Sequence, residues 1–212
     1  MDDRNINLYS VQMVSWRRLE MPRSPRRTFH HGSLPSDVLV HARAQLERDG
    51  AAALSLRGVA KATGVFPTAI SHHFGDREGL LAALAAEGFA DLRAAFVGAL
   101  ARGQAPRAAL RALLAAYVAF AHAQPATFQL MFSPWSMFAR RHAELEQRGH
   151  AAFDMLADAV AAWSKRRGTE LDALATSIWC TVHGLAILSI EERSGTREGR
   201  FDVEAILDLA LR

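Results

Sequence analysis

The sequence predicts an all-α protein, with a small N-terminal three-helix domain and a larger helical domain behind it. Three observations predict this. From about Pro35 onward, apolar residues return at i, i+3 and i+4 in one segment after another, the period of an amphipathic helix. Between the segments stand Gly50, Gly64-Val65, Gly103 to Pro106 and Gln124-Pro125, which stop helices or open turns. One stretch, Ser55 to Phe74, reads as two short helices about a glycine turn.

Composition bounds what the chain can be. Half of the 212 residues are hydrophobic, enough for a sizeable core, and 22% are charged, which is ordinary for a globular protein. The single cysteine, Cys180, cannot staple the fold, which points to a reducing compartment. No apolar run is read as a bilayer span, because Arg111 and His122 cut the longest Ala/Leu-rich stretch. The N-terminus is polar and lacks a cleavable signal pattern. The expectation is a cytoplasmic protein without membrane attachment.

The first 30 residues hold six arginines against Asp2, Asp3 and Glu20, a net of +3 that equals the formal charge of the whole chain. Pro22 and Pro25 break any helix there, so residues 1–30 read as a disordered basic arm. Such an arm is either a solvated tail or a segment that lies on phosphates or reaches a minor groove. The boundaries that follow are 31–80 for the three-helix domain and 81–212 for the rest.

The first helix runs from about Pro35 to Arg48, with Val38, Leu39, Ala42 and Leu46 on its apolar side, Ser36 or Ser33 as cap and Gly50 as stop. Leu54 packs before the next helix. Ser55 can cap that helix, whose inner face is Leu56, Val59 and Ala60, and Gly64 can take the left-handed conformation that ends it. Pro67 opens the second short helix where no backbone donor is lost. Ile70 and Phe74 turn inward, leaving Pro67, Thr68, Ala69, Ser71, His72 and His73 on the open side. This is the helix-turn-helix plan, whose second helix enters the DNA major groove. A fourth helix follows from the N-cap Asp76 to about Leu100, carrying Leu80, Leu81, Leu84, Phe89, Leu92 and Phe96 at helical spacing.

Val38 to Leu84, and above all LSLRGVAKATGV and HHFGDREGLLAAL within it, resembles the DNA-binding domain of TetR/AcrR-type transcriptional regulators. The resemblance implies a homodimer that offers one recognition helix per subunit to a double-stranded operator. It also implies a helical effector domain behind, and loss of DNA binding when a small molecule enters. It places His73 and Arg77 on phosphates. Two positions depart from the pattern: Phe66 stands where a small polar N-cap is usual, and Ser71 where a phosphate-contacting Tyr is usual. An uncapped helix start costs about 0.5–2 kcal/mol. A serine hydroxyl is shorter than a tyrosine's but still donates to phosphate. The base-facing set is Pro67, Thr68, Ala69 and His72, of which only Thr68 and His72 can hydrogen-bond a base edge, so modest direct readout is expected. Arg57 and Lys61, on the helix before, are read as contacting phosphate rather than bases, or else nothing.

The remaining chain reads as helices over about Pro106 to His122, a short segment through Phe128, Leu130, Met131 and Phe132, then Trp135 to Gly168, Thr169 to Arg193 and Val203 to Leu211. Lys165, Arg166 and Arg167 suit the negative end of the seventh helix. The eighth helix has two apolar faces: Leu171, Leu174, Ile178, Val182, Leu185 and Leu188 on one, Trp179, Ala186, Ile187 and Ile190 on the other. Two faces need two partners, the core and a second subunit. IWCTVHGLAIL, with FQLMFSP before it, is similar to a TetR-type subgroup with a Trp…His-Gly signature in the C-terminal domain. Gly184 beside Ala186 would allow close helix approach, and the eighth and ninth helices are the candidates for a four-helix dimer interface.

Phe120, Phe128, Met131, Phe132, Trp135, Phe153, Trp179 and His183 are candidates to line an apolar effector cavity, or else plain core. Cys180 is expected on a buried helix. Enzymatic classes fare badly: there is no Glu-x-x-His pair, and the adjacent pairs His30-His31 and His72-His73 do not share a helix face as metal ligands would. No P-loop, dinucleotide-binding glycine pattern or nucleophile elbow is present. No cofactor or metal is expected. The reading is a repressor released by an apolar or amphipathic small molecule; the alternative is a helical small-molecule-binding or interaction protein without operator binding.

Overall fold

Helix α1, Leu34–Asp49, buries Val38, Ala42 and Leu46, a stripe spaced by four. The computed structural model describes residues 34–100, 104–133, 142–193 and 202–211. Among these residues there are nine α-helices and no strand. The basic arm, Trp135 and the 195–199 loop lie outside them. Gly50 ends α1 at φ 79°, its N–H donating to Leu46 O at 2.9 Å. A short 3-10 turn over Ala51–Ala53 follows, which no sequence signal announced.

The helix-turn-helix forms as its local chemistry dictates. In α2, Leu56–Thr63, Ser55 Oγ accepts from Gly58 N at 3.1 Å and Gly64 closes the helix in the left-handed region at φ 72°. In α3, Pro67–Phe74, Pro67 occupies the first turn and Phe66 supplies no side-chain cap. In α4, Arg77–Ala99, Asp76 Oδ1 accepts from Gly79 N at 2.9 Å.

Helices α5, Pro106–Ala123, and α6, Pro125–Met131, meet at Gln124. Helix α7 is Ala143–Ser164; residues 135–141 of the predicted helix lie outside the described residues, and its end falls short of the predicted Gly168. It stops early because Lys165 adopts φ 58° and donates its N–H to Ala161 O. Lys165, Arg166 and Arg167 therefore stand beyond the helix end. Helix α8, Gly168–Arg193, already contains Thr169, which is not its cap. Helix α9 is Val203–Ala210, capped by Asp202 Oδ1 on Ala205 N at 2.9 Å.

Helix α4 is the spine. It packs on α1 and α3 at its start and on α5, α6 and α7 further along. Helices α7, α8 and α9 close the far side, with α9 held to α5 by Arg111, whose Nε donates to Asp208 at 2.8 Å and whose Nη2 pairs with Glu204. Arg148 of α7 bridges Glu87 of α4 and Glu144 of its own helix, each at 2.7 Å.

The two predicted faces of α8 merge. Ile178, Val182 and Leu185 are buried together with Trp179, His183, Ala186 and Ser189. The outward strip is composed of Ala173, Ser177, Cys180 and Thr181, with half-buried Gly184 and Leu188 continuing it. Cys180 is thus exposed, contrary to expectation. A Cβ on Gly184 would meet nothing within 4 Å, so no described residue makes the close approach expected there. The span Gly168–Glu191 is long and apolar enough to cross a membrane, with mean hydropathy 1.6, which corrects the sequence reading. It packs here as a core helix against α5, α7 and α9.

Candidate nucleic-acid interface and internal cavity

Burying Ile70 completely fixes the rotation of α3. Pro67, Thr68, His72 and His73 are then exposed and Ala69 and Ser71 half-exposed, with Arg57 and Lys61 exposed on α2 beside them. Phe66, at the head of α3, is 80% exposed, the most exposed large apolar side chain described. Gly79 sets the join to α4: a Cβ there would lie 1.8 Å from Phe74 O, the last carbonyl of α3. Only a residue without a Cβ lets α4 start so close to the recognition helix.

Arg77 braces this join. Its Nε donates to Leu54 O at 2.8 Å, and its Nη2 donates to Ala51 O. That ties the start of α4 to the 3-10 turn. A guanidinium has five N–H donors, and these bonds engage Nε and Nη2 but not Nη1.

The junction to the second domain is polar. Helix α6 begins with a proline and lacks a cap of its own, leaving the amides of Ala126 and Thr127 without intrahelical acceptors. Glu47, from the last turn of α1, accepts both, at 3.1 Å and 2.7 Å. Arg43, one turn earlier, pairs with Asp91 of α4 and donates to Gln124 Oε1 at 3.0 Å. Two side chains of α1 thus grip the α5–α6 joint. Sequence reasoning missed both, because the α5–α6 partners lie about 80 positions away.

Behind α6 is an apolar cavity of about 20 Å³, lined by residues of α4, α5, α7 and α8 together with Phe132. It has room for about one water molecule. Of the expected residues, Phe132, Phe153 and Trp179 line it. His183 adjoins it through its ring, 5.0 Å from that of Phe132 and 5.7 Å from Trp179. Phe128 packs on Phe132 at 4.8 Å and Phe120 packs on Phe128, both outside the lining. Met131 is fully buried on the α4 side, where a Cβ on Gly88 would meet its Sδ at 2.6 Å. Trp135 lies outside the described residues. Phe89, Leu92 and Phe96, which helical spacing puts in one series along α4, also line it, as does Tyr117 of α5. Gly149 and Ala152 carry no signal beyond being small.

One polar cluster borders this cavity. Trp179 Nε1 donates to Tyr117 Oη at 3.4 Å, and Tyr117 Oη lies 2.9 Å from His183 Nδ1. His183 is 1% exposed, and its Nε2 has no hydrogen-bond partner. Burial holds the imidazole far below its usual titration range and lifts the Tyr117 phenol well above its own. Both are neutral at ordinary pH. Among the described residues no three His, Cys, Asp or Glu side chains are grouped to hold a metal.

The profile of bacterial regulatory proteins of the tetR family matches residues 38–84, and that of the tetracyclin repressor-like C-terminal domain matches residues 110–212. A solved structure of a protein of unknown function from Rhodococcus sp. RHA1 is 32% identical, with 88% of this chain and 95% of that one aligned at a TM-score of 0.70. The TetR family transcriptional regulator PfmR from Thermus thermophilus shares the fold at 20% identity, with 82% and 96% of the two chains aligned and a TM-score of 0.59. A transcriptional regulator from Rhodococcus sp. RHA1 does so at 21% identity, 84% and 93% coverage and a TM-score of 0.62. No curated protein matches the chain.

Proposed function

The chain belongs to the tetR family of bacterial regulatory proteins, non-enzymatic DNA-binding regulators of transcription, and from that premise we propose that it is a homodimeric repressor released by a small molecule. The observation that carries the reading is α4. One continuous helix starts at the glycine join to the recognition helix and ends among Phe89, Leu92 and Phe96 in the cavity wall. A ligand that wedges the cavity open acts directly on the helix that positions α3.

A cavity of about 20 Å³ is closed to any organic effector, since a benzene-sized guest needs about 150 Å³. The effector must therefore displace lining rings. Phe132 directly follows α6, whose N-terminus is held by Glu47 of α1. Movement there reaches the DNA-binding domain by a second route, through α1 and its packing on α2 and α3. Both routes change the separation of two recognition helices that must sit about 34–36 Å apart in successive major grooves.

On the DNA side we assign Arg57, Lys61, Ser71, His73 and Arg77 to phosphates, and Pro67, Thr68, Ala69 and His72 to base edges. Their exposure on one surface supports this. The arm of residues 1–30 adds phosphate contacts, and the site of action is the bacterial cytoplasm. The subunits pair through the outward strip of α8 and through α9, where Leu209 is 62% exposed.

The test is binding of the purified protein to fragments of its own upstream DNA, titrated with salt and with competitor. Selective binding of one dimer per inverted repeat, with a steep salt dependence, is expected. Weak binding that competitor removes equally from every fragment would instead favour a ligand-binding protein without an operator, and Phe66 and Ser71 would be the first positions to revert.

A further inference from the structure

We propose that the effector is an elongated amphipathic anion whose apolar end fills the internal cavity and whose head lies in an open groove outside it, and that Phe89 is the ring it displaces to join the two. This rests on the effector-cavity reading above and extends that site to the surface.

The groove follows the seam between α4 and α7 and measures about 690 Å³, within the roughly 300–1,000 Å³ usual for ligand sites. Cavity and groove are two sides of one wall. On α4, Leu92 and Phe96 line the cavity, and the residues after them, Arg93 and Val97, line the groove. On α7, Gly149 and Ala152 line the cavity, and the residues before them, Arg148 and Ala151, line the groove. Phe89 is the one described residue that lines both. Its ring is 5% exposed and meets Phe132 edge-on at 5.3 Å. A Cβ on Gly149 would stand 3.6 Å from that ring, so glycine there gives the ring room to turn. Outside, the seam is fastened by Arg148, which holds Glu87 and the Ala86 carbonyl of α4. An ion pair so near the solvent is weak and yields readily.

The two linings say which end of a ligand goes where. No charged side chain lines the cavity, so a charge entering it would lose its hydration without compensation. An apolar end gains there by leaving water. The groove carries Arg93, Arg148 and Glu87. Glu87 is already engaged by Arg148, whereas Arg93 is exposed and pairs with no carboxylate among the described residues. The groove therefore favours an anionic head over a cationic one.

The test uses the full-length protein with ¹³C-methyl-labelled leucine and valine, titrated at low salt with octanoate, octylammonium and benzene. With octanoate, the methyls of Leu92 and Leu156 on the cavity side and of Val97 on the groove side should move along one binding curve. Octanoate should bind about tenfold tighter than octylammonium, which Arg93 repels, and added salt should shrink that preference. Arg93→Gln, a change at an exposed position, should bring the two within about twofold. Movement of Val97 alone would keep the chain outside Phe89 and overturn the joined site. Movement of Leu92 and Leu156 without Val97, alike for octanoate and octylammonium, would overturn it too and leave a closed apolar effector cavity standing. A preference for octanoate that survives Arg93→Gln would overturn the assignment of the head. Failure of all three probes to move Leu92 and Leu156 would remove the effector-cavity reading together with the proposal.

Discussion

At the scale of single residues, two side chains hold positions that stability alone does not favour. Phe66 stands at an N-cap with four-fifths of its surface in water. A serine there could accept from the first-turn amides of α3, so Phe66→Ser should raise stability by about 0.5–2 kcal/mol. Operator affinity should move the other way where the exposed ring meets a thymine methyl or a sugar. Thermal unfolding and DNA titration of the same variant check both signs; a gain in both would mean that Phe66 touches nothing on DNA. His183 is the second. Its pKa is lowered in the folded state by burial, from an ordinary value of 6.5. Below that pH the unfolded chain takes up a proton that the folded chain refuses, so stability is complete above about pH 6.5 and falls with acidification. The slope should approach about 1.4 kcal/mol per pH unit from this group. Comparing unfolding at pH 7, 6 and 5 should show the decline, and His183→Phe should flatten it. An unchanged slope in the variant would assign the acid sensitivity elsewhere.

At the scale of elements, α6 depends on a neighbour. It is seven residues long and starts with proline, and its two free amides are held by Glu47 of α1. Glu47→Ala should cost about 1–2 kcal/mol, as a lost helix cap does, and should open the amides of Ala126 and Thr127 first. Hydrogen exchange resolved to those residues reads the effect. Faster exchange throughout the chain, with none concentrated at α6, would show that the variant merely loosens the fold. The same grip explains what could be read from sequence and what could not. Ser55, Gly64, Pro67 and Asp76 act on amides and dihedrals within a few positions of themselves, so the helix-turn-helix was legible almost residue by residue. Glu47 on α6, Arg43 on Gln124 and Arg77 on Leu54 join groups that no local pattern pairs. The cavity fell between these cases. Aromatic residues on inward faces marked its neighbourhood, but Gly149 and Ala152, which leave it its space, look like any small residue until α7 is packed against α4. The end of α7 was misplaced for a related reason: Lys165 takes a left-handed conformation that lysine does not favour.

At the scale of the whole molecule, the question is what covers α8 and α9. The outward strip of α8 is small and uncharged from Ala173 through Ser177, Cys180 and Thr181 to Gly184, and no described residue fills the space above Gly184. Leu209 on α9 adds an exposed apolar side chain. A monomer has no use for a glycine in mid-helix, which costs about 1 kcal/mol against alanine. A second copy laid across this strip would use the missing Cβ for close approach, and its two-fold axis would set the spacing of the recognition helices. Leu209→Lys, which adds a charge outside the core of the subunit, should therefore give a folded monomer by analytical ultracentrifugation. Operator affinity should fall by roughly a hundredfold or more, because the two half-sites are no longer bound together. Cys180 provides an internal control, since it lies on the same strip and is the only thiol. Its reaction with a maleimide should be slow in the wild-type protein and fast in Leu209→Lys. Fast labelling of a wild-type dimer would move the interface off α8, and any link between the cavity and subunit spacing would have to run through α4 and α6 alone.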